Sequence, residues 1–147
     1  MAAAAVDGLD VLVNNAAITL VHQIEGIPLD IWEQTIAVKL GGTFYCCRAA
    51  VSHLRREPGA AIVNISSSTP LTGGGGGAHY AASKAGIDGL TGHLAQELAP
   101  EIRVNSVQPR SIETDGFHAF TAGTIRRDSR SGLTQAIGQL ILTVSEY

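Results

Sequence analysis

Tyr80 and Lys84 stand four residues apart in the sequence YAASK. Residues at this spacing share one face of a helix, so the phenol and the amine would project side by side. An ammonium group beside a phenol stabilises the phenolate, which makes the phenol a better acid near neutral pH. Ser67 follows a strongly apolar segment, thirteen positions before Tyr80, where the end of a strand could deliver its hydroxyl to a substrate oxygen. Together these side chains predict a site that protonates a carbonyl during hydride transfer.

A tyrosine and a lysine four apart are most often mere neighbours on a helix surface, so the pair alone is not specific. Three further motifs accompany it: LVNNAA at 12–17, IVNISS at 62–67 and IRVNSVQP at 102–109. In this order and spacing the four motifs resemble the short-chain dehydrogenase/reductase family. The bacterial oxoacyl-reductase-like and the sugar- or steroid-alcohol dehydrogenase-like members are the most similar, and the resemblance covers about residues 8–115.

The resemblance implies roles for individual positions. Tyr80 matches the general acid/base, Lys84 the residue that activates it and binds the nicotinamide ribose, and Ser67 the residue that orients the carbonyl. The positions matching the cofactor-binding segments, besides Tyr80 and Lys84, are Asn14, Ala16, Ala17, Pro109, Ile112 and Thr114. The implied activity is reversible hydride transfer between NAD(P)H and a small-molecule substrate, which is a carbonyl compound or a secondary alcohol.

The sequence departs from the family at its beginning. Family members open with a strand and a TGxxxGxG turn that approaches the cofactor pyrophosphate at a helix N-terminus. Here an alanine-rich lead, 1–7, runs directly into the apolar segment 9–13. We therefore expect a truncated Rossmann-like three-layer α/β fold with a parallel sheet, lacking the first three strands. The residue that would select NAD or NADP is also missing, so the sequence indicates no preference between them.

Two further departures concern Lys39 and Arg110. Lys39 stands where the family has an asparagine that completes a catalytic tetrad. A second cation near Lys84 would disfavour charge on both amines, whereas a flexible stem could instead carry the Lys39 amine out to solvent. Arg110 replaces a glycine after Pro109, where a bulky side chain could hinder approach of the nicotinamide.

Alternation of strand-like and helix-like periods predicts βαβ units. Strands are expected at 9–14, 60–65 and 102–107, and helices at 30–55 and 80–98. Asp30 and Glu33 resemble a capping box at the start of the first helix. Its apolar stripe comprises Ala37, Leu40, Phe44, Cys47, Val51 and Leu54, and that of the second helix comprises Ile87, Leu90, Leu94 and Leu98.

Outside these elements the sequence is less regular. The glycine run 73–77 is expected to be a mobile loop, because a phosphate-binding P-loop would need Gly-Lys-Ser/Thr after it. The resemblance to the family becomes weak from Gly116 onward, and one apolar helix is expected at residues 133–144. We interpret 1–147 as a single partial Rossmann-like domain with a divergent tail at 116–147.

Composition limits the remaining classes of function. A net charge of −3 gives no electrostatic footprint for nucleic acid. No apolar run reaches the roughly 20 residues of a membrane helix, so a cytoplasmic protein with no membrane partner is expected. The adjacent Cys46 and Cys47 are expected to be buried, reduced thiols. The five histidines show no metal-ligand spacing, and His79 is read as a surface-loop residue, with a pocket-lining role as the alternative.

The expected loss of strands would leave the flank of the strand at 9–14 open, and an apolar edge invites association. The resemblance implies that the two long helices pack against their copies in a homodimer or homotetramer. The alternative to an oxidoreductase is a catalytically inactive family fragment that acts as an oligomerising or interaction module. A serine hydrolase using Ser67 with Lys84 is disfavoured, because nothing marks a nucleophile elbow or oxyanion hole.

Overall fold

The computed structural model describes residues 8–18 and 20–110 and the backbone of 141–143. Three strands of the sheet are parallel: β1 (Val11–Asn14), β2 (Ala61–Ile65) and β3 (Arg103–Gln108). Their connections contain helices, as parallel pairing requires. The α/β class with a parallel sheet is thus confirmed.

The helical elements connect these strands in chain order. A short 3-10 turn (Ile24–Gly26) precedes α1 (Leu29–Ile36), which continues through a π-helical segment (Ala37–Gly41) into α2 (Gly42–Leu54). A one-turn helix α3 (Thr69–Thr72) and the long helix α4 (Ala78–Glu97) lie between β2 and β3. The two predicted helices are therefore present, and the π segment inside the first one was not predicted.

The hydrophobic core lies between the sheet and the two long helices. Ile62 and Val104 are register partners on β2 and β3, and both are buried. They cluster with Cys47, Ala50 and Leu54 from α2 and with Leu98 after α4. Both long helices therefore pack on the sheet face that carries Ile62 and Val104.

The other face of β1 is exposed. Val11 and Val13, whose side chains alternate with Leu12, are 50% and 56% exposed. Among the described strands, β1 pairs only with β2. Within the described part of the sheet, β1 therefore lies at the edge and carries an exposed apolar face.

The helical stretch 29–54 buries the predicted apolar stripe in its second half but not in its first half. The buried residues are Thr35, Lys39, Thr43, Cys47, Ala50 and Leu54. Of the predicted stripe, Ala37 and Phe44 are exposed and Leu40 is half-buried, whereas Cys47 and Leu54 are buried and Val51 packs against the core. In the first half of the stretch, polar side chains face the interior and apolar ones face outward. Apolar periodicity predicted the wrong face there, because it assumes that the chain's own core covers the stripe.

Two other local predictions are wrong. The N-cap of α1 is Pro28 and no side chain caps it, so Asp30 lies in the first turn and forms no capping box with Glu33. Ile141–Thr143 form a strand, β4, antiparallel to β3, which contradicts a helix at these positions. The remainder of the predicted helix at 133–144, and of the tail at 116–147, lies outside the described residues. No helix in the described part of the chain is long and apolar enough to span a bilayer.

Candidate active site

The serine run Ser66–Ser68 leaves the carboxyl end of β2 and is held against the end of β3. The Ser66 N–H donates to the Val107 carbonyl at 2.8 Å, and the Ser68 N–H donates to the Pro109 carbonyl at 3.1 Å. All three serines are buried. Parallel strands end at the same edge of a sheet, which is where ligands bind in open α/β folds. The structure therefore places the serines and Pro109 together at this edge.

Lys84 reaches the same edge from α4. Its Nζ donates a hydrogen bond to the Ile65 carbonyl at 2.6 Å, and the Ser66 hydroxyl donates to the Lys84 carbonyl at 3.2 Å. These two contacts join the helix to the end of β2. Burial lowers the pKa of Lys84, and the nearby Asp88 carboxylate opposes part of that shift.

Tyr80 lies one helical turn before Lys84, as the sequence spacing predicts. The Lys84 Nζ is 5.9 Å from the centroid of the Tyr80 ring. The side chain of Tyr80 is half-buried, so a part of it stays accessible. An amine beside a partly accessible phenol is the arrangement needed for an activated proton donor.

Ser67 makes local contacts at the start of α3. Its hydroxyl donates to the Thr69 Oγ1 at 3.0 Å and accepts from the Thr69 N–H at 3.2 Å. Within the described residues, the Ser67 side chain makes no hydrogen bond to Tyr80. The structure thus brings Lys84 and Tyr80 together and leaves the Ser67 hydroxyl on Thr69. A substrate oxygen would have to replace that contact.

Asn14 takes part in a hydrogen-bond network beneath the site. Its side-chain amide donates to the Asn64 Oδ1 at 2.8 Å, and the Asn64 amide donates to the Thr91 hydroxyl at 2.9 Å. Asn14 also donates to the Cys47 thiol at 3.3 Å. This network links β1, β2, α2 and α4. Asn64 is fully buried, and the sequence analysis did not identify it as a positioning residue. A polar asparagine within the apolar strand of the IVNISS motif was the signal.

The other predicted cofactor-binding residues fall into two groups. Ala16 and Ala17 are exposed in the segment that follows β1, where small side chains leave the end of the strand open. Ile112 and Thr114 lie outside the described residues. The side chain of Arg110 is exposed.

Lys39 is the residue whose placement the sequence left open, and it is buried. Its side chain is 1% exposed, and its Nζ has no hydrogen-bond partner within the described residues. The Nζ lies 4.5 Å from the centroid of the Tyr80 ring. Burial and, to a smaller extent, the charge of Lys84 together lower the pKa of Lys39 to about 8. The solvent-exposed alternative is wrong, because the residue occupies the buried face of the helical stretch 29–54.

Two predictions about single side chains are corrected. His79 is buried, and its Nε2 lies 2.8 Å from the Leu20 carbonyl. It therefore joins the first turn of α4 to the segment after β1 and is not a surface-loop residue. Cys47 is buried as expected but Cys46 is exposed, and both thiols are free. In the described ranges, no three His, Cys, Asp or Glu side chains cluster as metal ligands would.

The glycine run 73–77 has a backbone that requires glycine. Gly73, Gly75, Gly76 and Gly77 all have positive φ. A Cβ on Gly76 would lie 2.5 Å from the Tyr80 Cγ, so the loop packs directly on the ring. Gly76 therefore lies against the Tyr80 side chain, while the mobility of the loop stays a prediction.

Comparisons with known proteins agree with this geometry. A family model described as short chain dehydrogenase matches residues 1–124. The chain is 43% identical over 140 residues to trans-4-hydroxycyclohexanecarboxylate dehydrogenase of Sinomonas cyclohexanicum, covering 91% of this chain and 52% of that protein. It is 43% identical over 111 residues to the 3-oxoacyl-[acyl-carrier-protein] reductase of Aquifex aeolicus, covering 75% of this chain and 45% of that protein.

A solved structure is similar in the same way. The ligand-free aldohexose dehydrogenase of Thermoplasma acidophilum superposes with a TM-score of 0.75 at 32% identity, covering 81% of this chain and 48% of that one. The chain thus spans about half the length of the relatives it matches. This similarity, together with the parallel sheet flanked by helices, confirms the predicted Rossmann-like α/β class. On the family model, the relatives and the fold together, the chain belongs to the short-chain dehydrogenase/reductase family of oxidoreductases.

Proposed function

We propose that this chain contributes the proton-transfer half of an NAD(P)-dependent oxidoreductase site that interconverts a small carbonyl compound and a secondary alcohol. The observation that carries the proposal is the convergence of α4 on the end of β2. The Lys84 Nζ lies 5.9 Å from the Tyr80 ring while it donates to the Ile65 carbonyl. This contact fixes the amine beside the phenol and at the ligand-binding edge of the sheet.

In the reducing direction, the Tyr80 hydroxyl gives its proton to the substrate oxygen as the carbonyl carbon receives a hydride. The Lys84 ammonium stabilises the phenolate that forms. The Ser67 hydroxyl leaves Thr69 and donates to the substrate oxygen, which orients the carbonyl. In the oxidising direction, the phenolate takes the proton back from the alcohol.

The residues present fit the nicotinamide end of the cofactor. The small Ala16 and Ala17 leave the end of β1 open, and Lys84 offers an ammonium group at the end of β2 for a ribose hydroxyl. Bound NAD(P)H would supply the hydride. The glycine-rich turn that holds the pyrophosphate has no counterpart in this sequence. The sequence therefore does not indicate which of the two nucleotides is bound.

Nicotinamide fluorescence during titration with NADH and NADPH tests cofactor binding by the chain. Turnover is then assayed with the substrate classes named for the relatives: reduction of the ketone derived from a cyclic hydroxy acid, reduction of a 3-oxoacyl thioester, and oxidation of an aldohexose. Tyr80→Phe should abolish reduction and leave cofactor affinity nearly unchanged, because only the proton donor is lost. Tyr45→Phe on the exposed face of α2 is the matched control and should keep full activity.

Absence of cofactor binding at millimolar concentration would reject an oxidoreductase role for this polypeptide. Turnover that survives Tyr80→Phe would reject the role of Tyr80 while leaving the family assignment intact.

We further propose that the chain forms a homodimer or homotetramer through the outward apolar face of the helical stretch 29–54. This face forms an open groove of about 510 Å³, lined by Trp32, Glu33, Ile36, Ala37, Leu40, Gly41, Phe44 and Tyr45. Trp32, Phe44 and Tyr45 are 40%, 44% and 64% exposed. A contiguous aromatic patch of this kind is typical of a surface that a protein partner covers.

Light scattering coupled to size-exclusion chromatography measures the assembly. Phe44→Glu should shift the mass to that of a monomer at micromolar concentration, because it places a charge in the centre of the apolar face. Ile24→Glu is the control, since Ile24 is 69% exposed outside the groove. A monomeric wild-type chain would contradict the proposal.

A further inference from the structure

The chain has two lysines, Lys39 and Lys84, and both amines border the ring of Tyr80. The lysines are separated by 45 positions in the sequence and come from different helical elements. The Lys39 Nζ is the nearer of the two, 4.5 Å from the ring centroid compared with 5.9 Å for the Lys84 Nζ. Lys84 has a carbonyl partner that explains its position, whereas the position of Lys39 has no such explanation in the described structure.

Burying an amine without a hydrogen-bond partner is costly. Lys39 lies in the π-helical segment, and its neighbours one turn away on the buried face are the uncharged Thr35 and Thr43. Contact with the Tyr80 ring therefore offsets part of the cost of burying the amine, because a cation is attracted to the negative face of an aromatic ring. Short π segments inside α-helices occur frequently at functional sites.

We propose that Lys39 is a positioning residue for Tyr80, whose ring it holds in place through contact between its ammonium group and the ring face. This inference rests on the proposed function for its effect on catalysis. The contact itself does not require that function. Lys39 acts through Tyr80 and is not assigned any contact with substrate.

The charge of Lys39 makes this contact depend on pH. Since burial and Lys84 lower the pKa of Lys39 to about 8, the amine loses its proton in mildly alkaline solution and its attraction for the ring weakens. The groups that bear on it are Tyr80, which it contacts, and Lys84, whose charge repels it. Asp88 acts on Lys84 from the next turn of α4.

Nuclear magnetic resonance of ¹³Cε-lysine tests the contact without any need for turnover. The labelled chain gives two side-chain signals, and Lys39→Arg removes one and so assigns both. The Lys39 signal should show a ring-current shift that collapses in Tyr80→Leu, and it should titrate near pH 8. A Lys39 signal that Tyr80→Leu leaves unchanged would overturn the proposal.

Ring-labelled tyrosine tests the positioning itself. The chain has three tyrosines, and Tyr80→Phe assigns the signal of interest. In the wild-type chain the Tyr80 signal should move near pH 8 as Lys39 loses its proton, and in Lys39→Met this movement should be absent. An identical Tyr80 signal in the wild-type chain and in Lys39→Met at pH 7 would overturn the positioning role.

Kinetics complete the test. Lys39→Met should lower kcat roughly 10- to 100-fold with little change in KM, because a misplaced proton donor affects the chemical step more than binding. Lys39→Arg keeps a cation that stacks on an aromatic ring and should restore part of the loss. A kcat in Lys39→Met equal to that of the wild-type chain would overturn the positioning role of Lys39 and leave the proposed function standing. Inactivity of the wild-type chain with the lysine and tyrosine signals as expected would count against the proposed function alone.

Discussion

Asn14 and Asn64 occupy paired positions on neighbouring parallel strands, and their side chains are joined by a 2.8 Å hydrogen bond. Asn64 then donates to Thr91 on α4, the helix that carries Tyr80 and Lys84. The network therefore connects the open strand β1 with the helix that bears the candidate catalytic pair. Its members are polar and lie inside the fold, so each depends on the others for its hydrogen bonds.

Asn64→Leu should destabilise the folded chain by about 1–3 kcal/mol, because it leaves the Asn14 amide without its partner in a partly buried place. Urea unfolding followed by circular dichroism measures the change. Asn105→Leu is the control, since Asn105 lies half-buried on β3 and makes no side-chain hydrogen bond to the described residues. Equal losses from the two substitutions would contradict a special role for the network.

Lys39→Met should stabilise the fold, in contrast to its expected effect on activity. Burial lowers the pKa of Lys39 from 10.5 to about 8, so between these values the unfolded chain binds more protons than the folded one. This group therefore makes wild-type stability rise with pH across that window. The advantage of Lys39→Met should be on the order of 2 kcal/mol below pH 8 and should fade towards pH 10.5.

Unfolding curves of the wild-type chain and Lys39→Met, collected at several pH values, check this difference. Taking the difference removes the titration of the other groups that both chains share. A gap in stability that stays constant from pH 7 to pH 10.5 would show that the amine is not buried in its charged form.

Gly76→Ala should displace the Tyr80 ring. A Cβ at this position would lie 2.5–2.9 Å from three Tyr80 side-chain atoms, and the φ of +71° already disfavours any L side chain. Gly73→Ala is the matched control, because Gly73 has the same φ and nothing within 4 Å of its Cβ position. Gly73→Ala should cost about 1 kcal/mol of stability through its backbone conformation alone. Gly76→Ala should cost more, because the clash adds to that strain, and only Gly76→Ala should also lower kcat or alter the Tyr80 ring signal.

The two cysteines should differ in reactivity although they are adjacent. Cys46 is exposed and Cys47 is buried, and burial raises the pKa of the Cys47 thiol. Because the thiolate is the reactive form, Cys46 should react quickly with a thiol reagent and Cys47 only after unfolding. Cys46→Ser should remove the fast phase. Two equally fast thiols would contradict the packing of α2 against the core.

The sequence by itself determined the class of fold, the strands and long helices to within a few residues, and the one-turn spacing of Tyr80 and Lys84. Each of these depends on local periodicity or on motifs read within one element, which the chain alone specifies. The failed predictions at Asp30, at His79 and in the stripe of the first helix concern which partner a side chain meets.

Only the tertiary structure decided that Lys39 faces inward. The sequence allowed the Lys39 amine to lie either in solvent or in the interior. A long lysine side chain can reach both, and the local sequence pattern does not distinguish them. The packing of the helical stretch 29–54 against α4 places polar Thr35, Lys39 and Thr43 inside and the aromatic residues outside. Contacts between segments distant in the chain, such as that between Lys39 and Tyr80, arise from the packing of whole elements and leave no local signal in the sequence.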